Sequence, residues 1–162
     1  MYDIAISADQ TPASFYEDLV KAADALTDGE PDGVANMANV AALLWQSLPD
    51  LNWAGFYRLI GGELVLGPFQ GKPACIRIPL GKGVCGSAAE RREAICVEDV
   101  HAFPGHIACD AASRSELVVP VIAKGAVIGV IDLDSPLSSR FGAEDVAGIT
   151  RLAEAVAGRF VA

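Results

Sequence analysis

The segment Glu116-Leu-Val-Val-Pro-Val-Ile-Ala123, Lys124-Gly125, Ala126-Val-Ile-Gly-Val-Ile-Asp-Leu-Asp134 constrains this chain more than any other. Two apolar, β-branched runs flank two residues suited to a tight turn, which is the pattern of an antiparallel hairpin. The chain also supplies helices to pack on such a sheet. Thr11-Pro12 fits an N-cap followed by proline at the first helical position, after which Phe15, Leu19, Ala22, Ala23 and Leu26 share a face. A second helix is expected over residues 34–48, with Val40, Leu43, Leu44 and Leu48 inward. A last one is expected over 142–160, with Val146, Ile149, Leu152, Ala153 and Val156 inward. The middle changes period. Residues 52–60 read as a strand, Gly61-Gly62 as a turn and 63–66 as the returning strand. Short extended pieces at 76–79 and 94–97 flank a small helix at 83–92. This order predicts an α+β fold, a mostly antiparallel sheet with helices packed on it. The length of 162 residues suits one domain spanning 1–162.

Charge narrows the partners. The net charge is -9, and Arg91-Arg92 is the longest basic cluster, so nucleic acid is not expected. No run approaches the ~20 apolar residues of a membrane helix. The polar start, Met1 to Asp9, does not read as a signal peptide. A cytoplasmic location is therefore expected. There, the four cysteines read as thiols, metal ligands or redox catalysts, and less as permanent disulfides.

Three of them, Cys75, Cys85 and Cys109, sit among glycines, prolines and polar residues, outside any apolar periodicity. Thiols grouped in loops suggest chemistry more than packing. Both histidines, His101 and His106, lie within eight residues of Cys109. An imidazolium there would favour thiolate, while Asp110 opposes it. Cys85 has two readings: a thiol lowered by a helix N-terminus, or a small buried residue. Cys96, between Ile95 and Val97, reads as buried packing. No C-x-x-C pair is present and the cysteine gaps match no compact zinc motif, so no metal is expected.

Carboxylates and aromatics form a second group. Asp132 and Asp134 are two apart on a strand and face the same way. Counting back from the Lys124-Gly125 turn brings Glu116 to the same end of the hairpin. Acids converging on an apolar sheet need a partner or a purpose. They can bind an ammonium group or donate a proton. Trp53 and Tyr57 share one strand face and could line a pocket for a methyl or thioether, with Phe56 pointing away.

These residues stand in a pattern. Asn52-Trp-Ala-Gly-Phe-Tyr57, Leu66-Gly-Pro-Phe-Gln-Gly-Lys-Pro-Ala-Cys75, Gly81-Lys-Gly-Val-Cys-Gly86, Asp99-Val-His-Ala-Phe-Pro-Gly-His-Ile-Ala-Cys-Asp110, Ser113-Arg-Ser-Glu116 and Gly129-Val-Ile-Asp-Leu-Asp-Ser135 closely resemble the free methionine-(R)-sulfoxide reductases. These are single GAF-domain enzymes, and the resemblance covers nearly the whole chain. It implies a central antiparallel sheet with helices on one face and a small-molecule pocket on the other. It implies reduction of free L-methionine-(R)-S-oxide to methionine, recycling by thioredoxin, a homodimer, and no cofactor. By matching positions, Cys109 corresponds to the nucleophile, Cys75 to the usual resolving cysteine and Cys85 to the alternative one. Glu116, Asp132 and Asp134 correspond to the substrate-binding acids, with Trp53 and Tyr57 around the S-methyl group.

The chemistry is consistent with those roles. A thiolate attacks the sulfoxide sulfur, and the leaving oxygen needs protons that clustered acids can hold. Asp134 or Glu116 could serve. The resulting sulfenic acid condenses with a second thiol, and a dithiol carrier reduces the disulfide. The alternative is a GAF-type sensor that binds a small ligand without catalysis.

Overall fold

The computed structural model describes residues 2–106 and 111–161. Its helices are α1 (Pro12–Thr27), α2 (Gly33–Ser47), α3 (Gly83–Arg91) and α4 (Ala143–Val156). Its strands are β1 (Trp53–Ile60), β2 (Glu63–Gly71), β3 (Arg77–Pro79), β4 (Ile95–Val97), β5 (Ser115–Ala123) and β6 (Ala126–Ser135). The six strands form one sheet in the order β3-β2-β1-β6-β5-β4, every neighbouring pair antiparallel.

Local chemistry explains the element ends. Thr11 accepts a bond from the Ser14 amide and Asp32 one from the Ala35 amide, which caps α1 and α2. The Asp145 carboxylate accepts from the Gly142 amide at the start of α4. Both hairpins turn on two residues with positive φ, Gly61-Gly62 and Lys124-Gly125. That is the turn whose twist matches paired strands.

Strand alternation divides the sheet into two faces. Phe56, Leu117, Val119, Val121, Ile131 and Leu133 pack with α1, α2 and α4 in the larger core. Trp53, Tyr57, Leu64, Val118 and Val130 point the other way. The family resemblance implies a pocket on the face opposite the helices. The structure adds α3 to that pocket face, where Val84, Cys85, Ala88 and Ala89 join the second core. The helix can lie this close because it is built of small residues. A Cβ on Gly86 would stand 2.4 Å from the Pro79 carbonyl oxygen.

Two expectations shift. The returning strand β2 runs to Gly71, past the expected end at residue 66. Gly67 and Pro68 look like punctuation in the sequence, but a bulge between Gly55 and Tyr57 absorbs them. On α1 the buried face is centred on Tyr16, Leu19 and Ala23, with Thr27 also buried and Phe15 only half-buried. The Tyr16 hydroxyl, which period alone places off the apolar stripe, donates to Asp145 of α4.

Candidate functional site

The site is assembled by strand register. Trp53 of β1 lies opposite Asp134 of β6, which lies opposite Glu116 of β5. One step along, Gly55 faces Asp132 and Asp132 faces Val118. Period two then turns Trp53, Tyr57, Asp132, Asp134 and Glu116 onto one face, at the end of the sheet away from the Lys124-Gly125 turn. Gly55 has no room for a side chain, since a Cβ there would meet the Phe69 Cβ at 2.4 Å.

These five residues line a pocket together with Lys72–Ala74, Lys82–Cys85, Ile78, His106 and Ser113. Trp53 stacks on Tyr57 at 5.8 Å and on Phe69 at 5.1 Å between ring centres. The indole Nε1 donates to the Lys72 carbonyl at 3.1 Å, and the Tyr57 hydroxyl donates to the Cys75 carbonyl at 3.0 Å. The aromatic pair thus fastens the loop that carries Cys75 to the sheet. Burial, and then the Asp132 charge, raise the Tyr57 pKa, so its hydroxyl stays a neutral donor.

The acids are held away from water. Glu116 and Asp132 are each 6 % exposed. Burial, and then the charges of Asp132 and Asp134, push the Glu116 carboxyl well above its ordinary value. Burial raises Asp132 to about 6, against the lowering effect of hydrogen bonding with Cys85 and Glu116. His106 Nε2 lies 4.0 Å from Glu116 Oε2, yet the histidine is lowered, by burial first and then by His101. A protonated Glu116 resolves the contrast: a neutral carboxyl facing a neutral imidazole is a polar contact and no ion pair. An imidazolium of His106, invoked above to activate a thiol, is therefore disfavoured.

The cysteines take four different environments. Cys75 is half-buried and disulfide-bonded. Cys85 is a free thiol, 4 % exposed, near the start of α3. Of its two sequence readings, burial prevails: desolvation and the nearby Asp132 and Glu116 push the thiol well up, and the helix N-terminus does not offset them. Its Sγ lies 3.9 Å from Glu116 Oε1. Cys96 is a free, exposed thiol, which corrects the expectation of buried packing. The cause is its place on β4, a three-residue edge strand. Its register partner Leu117 faces the helices, but at this edge Cys96 is left largely uncovered, with its Sγ 3.4 Å from the Phe141 carbonyl. Cys109, the expected nucleophile, lies outside the described residues.

Several pocket residues were not selected from the sequence. Lys72, Lys82 and Ser113 line it. Asn52, just before β1, donates to the Ser113 hydroxyl at 3.1 Å. Phe69 extends the aromatic stack. Their proximity depends on loops crossing the sheet end, which strand period does not report. Each of them, like His106, stands within one of the motifs quoted above, and that placement is the signal that could have found them.

Comparison with known proteins agrees with this geometry. Residues 35–158 match the GAF domain family model. The chain is 54% identical over 138 residues to the free methionine-R-sulfoxide reductase of Escherichia coli K12, covering 85% of this chain and 84% of the relative. It is 48% identical over 126 residues to the free methionine-R-sulfoxide reductase of Saccharomyces cerevisiae, covering 73% and 70%. Among solved structures, the free methionine-R-sulfoxide reductase of Neisseria meningitidis in complex with its substrate superposes with a TM-score of 0.93 at 41% identity, covering 99% of this chain and 96% of that one. With its antiparallel GAF sheet and this degree of identity over most of its length, the chain belongs to the free methionine-R-sulfoxide reductase family of oxidoreductases.

Proposed function

We propose that this protein reduces free L-methionine-(R)-S-oxide to L-methionine with electrons from its own thiols. The observation that carries the reading is the pair of buried, proton-holding carboxyls, Glu116 and Asp132, on the floor of an aromatic pocket. A sulfoxide oxygen leaves as water only after gaining protons, and a Glu116 carboxyl held well above its ordinary value, beside a raised Asp132, can supply them.

In the proposed cycle, the Cys109 thiolate attacks the sulfoxide sulfur while Glu116 protonates the oxygen. With a second proton the oxygen leaves as water. A water molecule then attacks Cys109 Sγ, the new bond to the methionine sulfur breaks to release methionine and a proton, and Cys109 becomes a sulfenic acid. The Cys75 thiol displaces water from it, forming a Cys75–Cys109 disulfide. Thioredoxin then returns two electrons by thiol–disulfide exchange. The oxidised state of Cys75, beside free Cys85 and Cys96, supports Cys75 as the resolving thiol and leaves Cys85 in reserve. Asp134, only partly buried, takes the substrate ammonium, and Trp53 and Tyr57 hold the S-methyl group. We take the chain to act as one domain, as a homodimer and in the cytoplasm, where thioredoxin is available. No described helix is long and apolar enough to cross a membrane.

The deciding assay offers both diastereomers of free methionine sulfoxide and a peptide-bound one. Consumption of the free (R) form alone is expected, and none by Cys109→Ser. Turnover by Cys109→Ser with dithiothreitol as reductant would remove Cys109 from its role. Consumption of none of the three by the parent would put the sensor reading first.

A further inference from the structure

We propose that the pocket floor binds a thiophilic divalent cation, Zn2+ or Cd2+, on Cys85, Glu116 and Asp132, and that the bound cation inhibits turnover. Metal binding stands on geometry alone. The inhibition rests on the reductase reading, so the two are read by separate measurements.

The three side chains each bring a donor atom, and these atoms lie within 4.8 Å of one another. Cys85 Sγ and Glu116 Oε1 are 3.9 Å apart. Zinc holds sulfur at about 2.3 Å and oxygen at about 2.0–2.2 Å in a tetrahedron, whose edges are then roughly 3.3–3.6 Å. The Cys85–Glu116 pair needs to close by only a few tenths of an ångström, and no pair of the cluster by more than about 1.5 Å. A second observation points to a ligand: Asp132 Oδ1 is buried without a hydrogen-bond partner among the described residues. An orphaned buried carboxylate oxygen is costly, and a cation would satisfy it. His106 Nε2 lies outside this three-atom cluster, 4.0 Å from the other Glu116 oxygen, so a shift of the imidazole would bring in a fourth donor.

The donor set also selects the metal. Magnesium and calcium require six or more oxygens, whereas a thiolate with two carboxylates and an imidazole suits zinc or cadmium. Binding replaces the Cys85 thiol proton with a metal–sulfur bond and releases that proton, with no change of oxidation state. It likewise displaces the proton on Glu116 and any on Asp132, and holds both as carboxylates. Neither can then give a proton to a sulfoxide, and the cation occupies the space above the floor.

The test uses the oxidised protein carrying Cys96→Ser, in which Cys75 is locked and Cys85 is the remaining free thiol among the described residues. Cd2+ titration is expected to raise the ultraviolet thiolate-to-cadmium charge-transfer band to saturation at one equivalent. The band should vanish in the added Cys85→Ser variant, and Cd2+ affinity should fall at least tenfold in Asp132→Asn, with thermal melts confirming that both are folded. A band that survives Cys85→Ser, or calorimetry showing no Cd2+ uptake by the parent, overturns the site. In turnover assays with thioredoxin, Zn2+ should inhibit competitively with the sulfoxide, and EDTA should restore the rate. Cd2+ binding with undisturbed turnover overturns the inhibitory claim. Absence of reduction with any sulfoxide defeats the reductase reading instead, and the charge-transfer band still reports on the site.

Discussion

Asp132 shows how a single carboxyl can serve chemistry and oppose stability. It titrates at about 6 in the folded chain, against an ordinary value of 3.8, chiefly because it is buried. A folded carboxyl that holds its proton more tightly than the unfolded one favours folding when pH is low. That contribution is complete below about pH 4 and is lost as pH rises through 6. The difference is on the order of 3 kcal/mol. Asp132→Asn removes the charge at constant shape. It should therefore raise the urea midpoint at pH 8 and flatten the decline in stability between pH 4 and pH 7. A variant that loses stability at pH 8 would show that the ionised carboxylate is satisfied after all. Glu116 carries the complementary prediction. Glu116→Gln keeps the contacts but cannot donate, so kcat should fall by about 10²- to 10⁴-fold, the range of a lost general acid. The loss should appear in single-turnover methionine formation as well as in recycling. A loss confined to recycling would move the proton-donor role elsewhere.

At the scale of elements, the helices set stability while the strand ends set the site. Gly148 of α4 lies against Tyr16 of α1, and a Cβ there would stand 2.1 Å from the ring. Gly148→Ala must push α1 and α4 apart, which should cost about 1–3 kcal/mol. Gly158, with nothing within 4 Å of its would-be Cβ, serves as the control and should be neutral or slightly stabilised as alanine. Since α1 and α4 pack on the face opposite the pocket, both variants should keep the parent kcat while folded. A fall in kcat without a fall in stability would show that the helix layer is coupled to the site. The same division explains what the sequence disclosed. The β5–β6 hairpin was legible as a pair but not in its register: counting from the Lys124-Gly125 turn sets Glu116 opposite Leu133. An irregularity between Val121 and Ile122 shifts the pairing by one residue, and that shift brings Glu116 beside Asp134. Tyr16 escaped, since its burial depends on a hydroxyl bond to a helix more than a hundred residues away. The extension of β2 through Gly67 and Pro68 escaped too, because these two residues bulge opposite the single residue Phe56, an arrangement that only the pairing with β1 defines. Cys85 stayed ambiguous between helix-end and buried readings because α3 is apolar by packing on the sheet, and a period count does not show which face meets it.

At the scale of the whole molecule, the layering decides which thiols meet solvent. Cys96 stands at an open sheet edge, Cys85 is buried within the first turn of α3, and Cys75 is oxidised. A maleimide offered to the oxidised native protein should therefore label one thiol quickly, at Cys96. Burial, and then the nearby Asp145 and Glu98, raise that thiol, so labelling should accelerate as pH rises. Denaturant without reductant should release a second thiol, Cys85. Reduction before denaturation should yield all four cysteines of the sequence. Mass spectrometry of the labelled peptides distinguishes these states. Fast native labelling of Cys85 would mean that the pocket face opens on the timescale of the reaction. In that event the buried acids would be hydrated, and their capacity to hold protons near neutrality, on which the proposed reduction depends, would go with the burial.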